Sequence, residues 1–199
     1  MRLAVNANPT SSIKHQTSKM TTYIALLRGI NVSGHNPIKM EALKTLFESL
    51  GFSQVRTYIQ SGNVVFESAE KDDSALKAAI EAQIKQQFDF EVAVMLRTAT
   101  EWHQIMTKNP FQSAADADGT KVHIVFFSQA PDAALVEQLS ALPFDNDEFT
   151  VIDREMYLHC PNGYGRTKLS NPFIERKLKV TSTTRNWRSV VTLSGMAEG

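Results

Sequence analysis

Three clusters of polar and basic residues carry the chemistry this 199-residue chain can offer, and all three suit an anion. The first is Arg28-Gly-Ile-Asn-Val-Ser-Gly-His-Asn-Pro-Ile-Lys39. Gly29, Asn31, Gly34 and Asn36 permit a tight backbone whose N–H groups turn toward a phosphate or carboxylate, with Arg28 and Lys39 as its counter-charges. It is not a Walker A loop, because no Gly-Lys-Ser/Thr follows, and it lacks dinucleotide-fingerprint spacing. A strand-to-helix connection that simply needs glycines is the plain alternative. The second cluster, Gln60, Ser61 and Asn63 around Gly62, puts donors and acceptors at a hairpin tip, although these are also ordinary turn residues. The third joins Arg166 and Lys168 with Thr184, Arg185 and Asn186. Either arginine can grip a phosphate or carboxylate bidentately, Lys168 adds a point charge, and Asn186 can orient a ligand. The alternative has these arginines pairing with acids from the middle of the chain across a domain interface.

Other chemistries find less support. His15, His35, His103, His123 and His159 show no metal-ligand spacing, and the single Cys160 excludes an internal disulfide or a multi-cysteine metal site. His159 and Cys160 are neighbours in a predicted strand and so point to opposite faces, which argues against a catalytic dyad. Cys160 reads as a small buried hydrophobe, and His35 is the one histidine worth testing as an acid or base. Asp116 and Asp118 read as solvated linker residues. No cofactor or metal is expected, and whether the protein is an enzyme stays open.

The helices that must position these clusters start in an unusual way. Three predicted helices, after Asn31–Lys39, after Asn162–Lys168 and at Thr183–Arg188, begin beside basic residues, where the helix dipole already carries about half a positive charge. Elsewhere predicted helices open on Asp72-Asp73, Glu101 and Asp132, so an anion near the basic starts is the expectation.

Apolar patterning supplies the elements. A strand over 22–27 precedes Asn36-Pro37, read as an N-cap and a first helical residue, and then a helix with Met40, Leu43, Phe47 and Leu50 ending at Gly51. Strands over 54–60 and 63–67 form a hairpin about Ser61-Gly62. A helix with Leu76, Ile80, Ile84 and Phe88 leads to a strand with Val92, Val94 and Leu96. After a connecting helix over 100–108 and a polar linker over 114–119, the order restarts with a strand over 122–127. A helix, a hairpin over 149–152 and 156–160, and a helix with Phe173, Ile174 and Leu178 follow. A short extended piece near 180–182 and a helix carrying Trp187, Val190 and Val191 finish the chain.

The expected class is therefore α+β: two ferredoxin-like β-α-β-β-α-β halves with antiparallel sheets, plus a linking helix and a C-terminal helix. Residues 1–19, polar and aperiodic, read as a disordered extension outside the fold. The first half spans 20–98, the connecting helix and linker 99–120, and the second half 121–199. No sequence repeat relates the halves.

Composition is that of a soluble globular protein, with 42% hydrophobic and 21% charged residues and no apolar run long enough to span a membrane. Net charge is zero, yet residues 1–63 carry +5, 64–155 carry −10 and 156–199 carry +5. A cytoplasmic, reducing location fits the lone cysteine.

Tyr23-Ile-Ala-Leu-Leu-Arg-Gly-Ile-Asn-Val32, Arg56-Thr-Tyr-Ile-Gln-Ser-Gly-Asn-Val-Val-Phe66 and Thr183-Thr-Arg-Asn-Trp187 resemble domain-of-unknown-function family 1697, a mostly bacterial family of small proteins. Gly165-Arg-Thr-Lys-Leu-Ser170 and Ile174-Glu-Arg-Lys-Leu178 extend the likeness over about residues 20–195. The resemblance implies an α+β fold of two related halves and no established activity.

The leading functional expectation is a phosphorylated or nucleotide-like small ligand held between the halves by the three clusters. RNA or single-stranded DNA is the alternative partner, since the element order is that of the RNA-recognition motif. Asn63 and Val65, however, stand where that motif wants stacking aromatics. A non-catalytic interaction protein with oppositely charged surfaces is the third class. No oligomeric state follows from the sequence.

Overall fold

Leu27 and the four residues before it are all buried, so the first strand must be covered on both faces. The computed structural model, which describes residues 19–32 and 34–199, supplies that cover. Apart from Lys19, the extension expected over 1–19 lies outside the described residues. The elements run β1 (Thr21–Leu27), α1 (Met40–Ser49), β2 (Ser53–Tyr58), β3 (Asn63–Ser68), α2 (Asp73–Phe88), β4 (Val94–Thr98), α3 (Ala99–Thr107) and α4 (Gln112–Ala117). They continue with β5 (Val122–Phe127), α5 (Ala133–Ser140), β6 (Glu148–Ile152), β7 (Glu155–His159), α6 (Asn171–Leu178), β8 (Ser182–Asn186) and α7 (Trp187–Glu198). No described helix is long and apolar enough to cross a membrane.

The strands form two four-stranded sheets with the same order, β2-β3-β1-β4 and β6-β7-β5-β8, and every neighbouring pair is antiparallel. Side chains alternate across each sheet. Tyr23, Ala25 and Leu27 pack under α1 and α2 with Phe47, Leu76 and Ile80. Ile24, Leu26, Val65 and Met95 face the opposite way and meet Ile124, Phe126 and Tyr157 of the second sheet. Trp102 and Ile105 of α3, with Trp187, Val190 and Leu193 of α7, complete this central cluster. Val125, Phe127, Met156 and Leu158 pack outward beneath α5 and α6. The layers thus run helices, sheet, α3 with α7, sheet, helices.

α3 and α7 are counterparts. Each follows the last strand of its sheet, and each is capped by that strand's final residue. Thr98 accepts from Glu101 N–H in a capping box, and Asn186 accepts from Ser189 N–H. The correspondence reaches the backbone: Leu27 N–H bonds Gly62 O at 2.8 Å as Phe127 N–H bonds Arg154 O at 2.9 Å. Arg28 N–H reaches Ala93 O as Ser128 N–H reaches Thr181 O, both at 2.9 Å. The expected linking and C-terminal helices are therefore two copies of one part.

Three helix starts differ from expectation. α1 begins at Met40, with Lys39 at the N-cap, because Asn36 sits at φ 47, whereas an N-cap needs extended backbone. The last strand is Ser182–Asn186, so Thr184 and Arg185 belong to a strand. Arg166 closes a 3-10 turn (Tyr164–Arg166), and α6 starts only at Asn171 with Pro172 in its first turn. Of the basic residues cited, only Arg188 lies inside a helical first turn, where Asp118 pairs with it at 3.6 Å. Helix dipoles accordingly give no general case for an anion. Trp187 and Val190 pack inward as expected, but Val191 is exposed.

Candidate functional site

Arg185 sits on β8 and points into the junction between the halves, where it is buried. Its Nε donates to Asn63 Oδ1. One terminal nitrogen donates to Thr183 Oγ1 and to Thr184 O, both at 2.8 Å. The other reaches Leu27 O, Ser61 O and Gly62 O at 3.1, 2.9 and 3.3 Å. Every partner is neutral, and among the described residues no carboxylate lies within ion-pair distance. Burial lowers its pKa to about 10, so the group remains charged at neutral pH.

Arg97 is its counterpart on β4. Arg97 Nε donates to Glu155 Oε1 at 2.7 Å, and its terminal nitrogens reach Leu96 O, Phe127 O and Arg154 O at 2.7, 3.1 and 3.2 Å. Each acceptor occupies the place that Asn63, Thr184, Leu27 and Gly62 take around Arg185. Burial lowers the Arg97 pKa and raises that of Glu155, and each charge offsets the other's desolvation. The two junctions share one architecture and differ by a charge: a carboxylate at Glu155, an amide at Asn63.

The turn over 59–62 lies against Arg185 through the Ser61 and Gly62 carbonyls, and Asn31 of the 28–39 loop reaches the same turn. Asn31, at φ 54, ties them together: its Nδ2 donates to Ile38 O and Gln60 O at 2.9 Å each, and its Oδ1 accepts from Ile38 N–H at 2.8 Å. Asn63 Nδ2 bonds Tyr58 O at 2.9 Å and Ser61 Oγ at 3.0 Å, fixing the turn from inside. Gly62 must be glycine, since its φ is 75° and a Cβ would lie 2.8 Å from Leu27 and Ile30 side-chain atoms. Ile59, on the same turn, is exposed at φ 47, a conformation that a β-branched residue rarely adopts.

Arg28 donates bidentately to Glu175 of α6, at 2.7 and 2.6 Å, and this bond raises its pKa. Glu175 Oε1 also accepts from Ser182 N–H at 2.7 Å. Thr184 Oγ1 donates to Asn171 Oδ1 at 2.6 Å and accepts from the Tyr164 hydroxyl at 3.2 Å. Hydrogen bonds join Arg185 to Asn63, Ser61 and Thr184, tie Asn31 to the Gln60 carbonyl on the same turn, and carry Arg28 through Glu175, Ser182 and Asn171 to Thr184.

The other expected site residues stand apart. Lys39 is exposed at the start of α1 and has no ion pair among the described residues. Arg166 is exposed on its 3-10 turn, and Lys168 lies 3.6 Å from Asp145. Asn186 is used as the α7 cap. Neither Arg166 nor Arg185 pairs with a middle-segment acid among the described residues, although Lys168 and Arg188 meet Asp145 and Asp118; Glu175, the partner of Arg28, comes from the C-terminal segment.

Sequence reasoning missed Arg97, Glu155 and Glu175. Arg97 had a signal, an arginine in the strand run Val-Met-Leu-Arg-Thr, on the face that buries Met95. Cys160 is buried, and its thiol pKa is pushed up to about 12, mainly by that burial. Among the described residues no cluster of three or more His, Cys, Asp or Glu side chains is placed to hold a metal ion.

The fold and junction define a two-sheet α+β protein whose halves clasp each other through buried arginines. The chain belongs to the family described as protein of unknown function (DUF1697), whose model matches residues 20–157. No curated protein matches it. The structure is similar to that of conserved bacterial protein SP0830 from Streptococcus pneumoniae, with TM-score 0.74 and 21% identity over 90% of this chain and 99% of that one. At that identity the likeness shows the fold.

Proposed function

We propose that the protein binds a small anionic ligand, phosphorylated or nucleotide-like, where the 28–39 loop and the 59–62 turn meet α6 and β8. In this reading each half, 20–98 and 121–199, is a ferredoxin-like unit, joined through residues 99–120. The common strand order of the two sheets supports the assignment. The location would be cytoplasmic, in keeping with a lone reduced cysteine.

The observation that carries the reading is the charge difference between the junctions: Arg97 faces Glu155, but Arg185 faces Asn63. A buried charge without a counter-ion projects its field outward. At roughly 8 Å and an effective dielectric of about 20, it stabilises a unit negative charge by about 2 kcal/mol. The covering segments 28–39 and 53–66 contain no Asp or Glu, so nothing on them cancels that field. Lys39 would contact the anion directly, Arg28 would share itself between ligand and Glu175, and Arg185 would act through the Asn63 and Ser61 network. The role is electrostatic positioning.

Nucleic acid is the weaker partner. The sheet face bearing Asn63 and Val65 is buried against the second half, leaving no platform on which bases could stack.

Calorimetric titration with nucleotides and sugar phosphates tests the proposal, using wild type, Lys39→Ala and Asn63→Asp. Asn63→Asp places a carboxylate beside Arg185 and should weaken anion binding at least tenfold, as should Lys39→Ala. If no anion in the panel binds wild type, or if both variants bind as wild type does, the reading is wrong.

A further inference from the structure

The geometry points to a second site, at the other junction, that binds a free amino acid as its zwitterion, with the ammonium on Glu155 and the carboxylate on Arg154 and Lys108. A cleft of about 220 Å³ lies there between the connecting helix α3 and the β6–β7 turn of the second half. It is smaller than the roughly 300 Å³ at which drug-sized pockets begin, and so suits a ligand of a few heavy atoms.

Its charges are balanced. Arg97, Lys108 and Arg154 face Glu101, Asp153 and Glu155 around the opening, three of each sign. A purely anionic or purely cationic ligand gains nothing from such a lining, whereas one carrying both charges is matched at both ends. Glu155 supplies the specific request. Its side chain is only 8% exposed, its Oε1 is taken by Arg97, and its Oε2 receives no hydrogen bond from any described residue. That second oxygen is open to the cleft, where it can accept from a ligand's donor, and an ammonium has three. Arg97 itself is fully occupied by Glu155 and three carbonyls and takes no part in binding.

The rim can yield to a ligand. Arg154 is bound to Glu101 at 2.7 Å and Lys108 to Asp153 at 2.9 Å, but all four side chains are at least a third exposed. Exposed pairs of this kind are weak, so a carboxylate can replace Glu101 or Asp153 at small cost. The apolar wall at Ile105 accepts a short side chain. This site shares no residue with the anion site proposed above, and the two stand or fall separately.

Calorimetry with glycine, L-serine and L-glutamine should register binding. Propionate, ethylamine and N,N,N-trimethylglycine, each lacking one charge or the N–H donors, should bind at least tenfold more weakly. Glu155→Gln should keep its fold, because Asn63 already sets an amide against a buried arginine in the other half, yet lose at least tenfold in amino-acid affinity. Arg154→Gln, at the exposed rim, should lose a similar factor, and Lys85→Ala, on the exposed face of α2, should lose none. The proposal is overturned if wild type binds none of the three amino acids, if the singly charged analogues bind as well, or if Arg154→Gln binds unchanged.

Discussion

A guanidinium sealed from water stays charged only while its five N–H groups are satisfied, and Arg185 meets that condition with carbonyls, an amide and a hydroxyl. Arg185→Met would strand several acceptors from three segments at once. We expect a loss of about 3 kcal/mol or more in urea unfolding, the scale of a broken buried polar network. His123 is a second residue with a legible consequence. It is buried against Tyr164, with ring centroids 4.6 Å apart, and burial lowers its pKa from 6.5 to about 4. Above pH 6.5 the imidazole is neutral in both the folded and unfolded states. As the pH falls below that value the unfolded chain takes up the proton first, so stability drains away until the pH passes about 4. The loss is at most about 3 kcal/mol. His123→Phe should flatten this limb in melts between pH 7 and 4; an unchanged slope would assign the acid sensitivity elsewhere. The Cys160 thiol, raised to about 12, should resist iodoacetamide at pH 8 until the protein is unfolded.

At the scale of elements, the strands were the readable part. Those at 22–27, 63–67 and 122–127 announce themselves by short, largely apolar runs, and each occupies the place expected to within a residue. β8 was not readable as such, because Ser-Thr-Thr-Arg-Asn carries no apolar signal; its burial comes from β5 beside it and the halves around it. The start of α1 misled for a related reason. Asn36-Pro37 has the chemistry of a cap, but Asn31, five residues earlier, holds Ile38 at both its N–H and its carbonyl and keeps the chain extended. Seven of the expected site residues, Arg28, Asn31, Gln60, Ser61, Asn63, Thr184 and Arg185, do gather at one junction, Gln60 through its backbone carbonyl alone. Glu175, which neutralises Arg28 there, and Glu155, which does the same for Arg97 at the other junction, had no local signature. Caps give the cleanest test at this scale: Thr98→Ala removes the hydroxyl arm of the α3 capping box, leaves the backbone N–H bond to Glu101, and should cost about 1 kcal/mol, read from the shift in denaturation midpoint.

For the whole molecule, the central cluster belongs to neither half. Ile24, Leu26, Val65 and Met95 find their partners in Ile124, Phe126, Tyr157 and α7. A fragment of residues 19–98 would expose that face together with Arg97, stripped of Glu155. It should therefore lack dispersed amide resonances and aggregate, while co-expression with residues 99–199 should restore a folded complex. A fragment that folds alone as a monomer would show that the central layer is a later addition to an independent unit.

The unlike partners of Arg97 and Arg185 carry a consequence for how such a molecule can change. In a symmetric pair of identical subunits, any substitution at one contact is imposed on the other, so the two must remain alike. Joining the copies in one chain lifts that rule. Each junction can be altered while its twin preserves the clasp, so a carboxylate can stand against the arginine in one and an amide in the other.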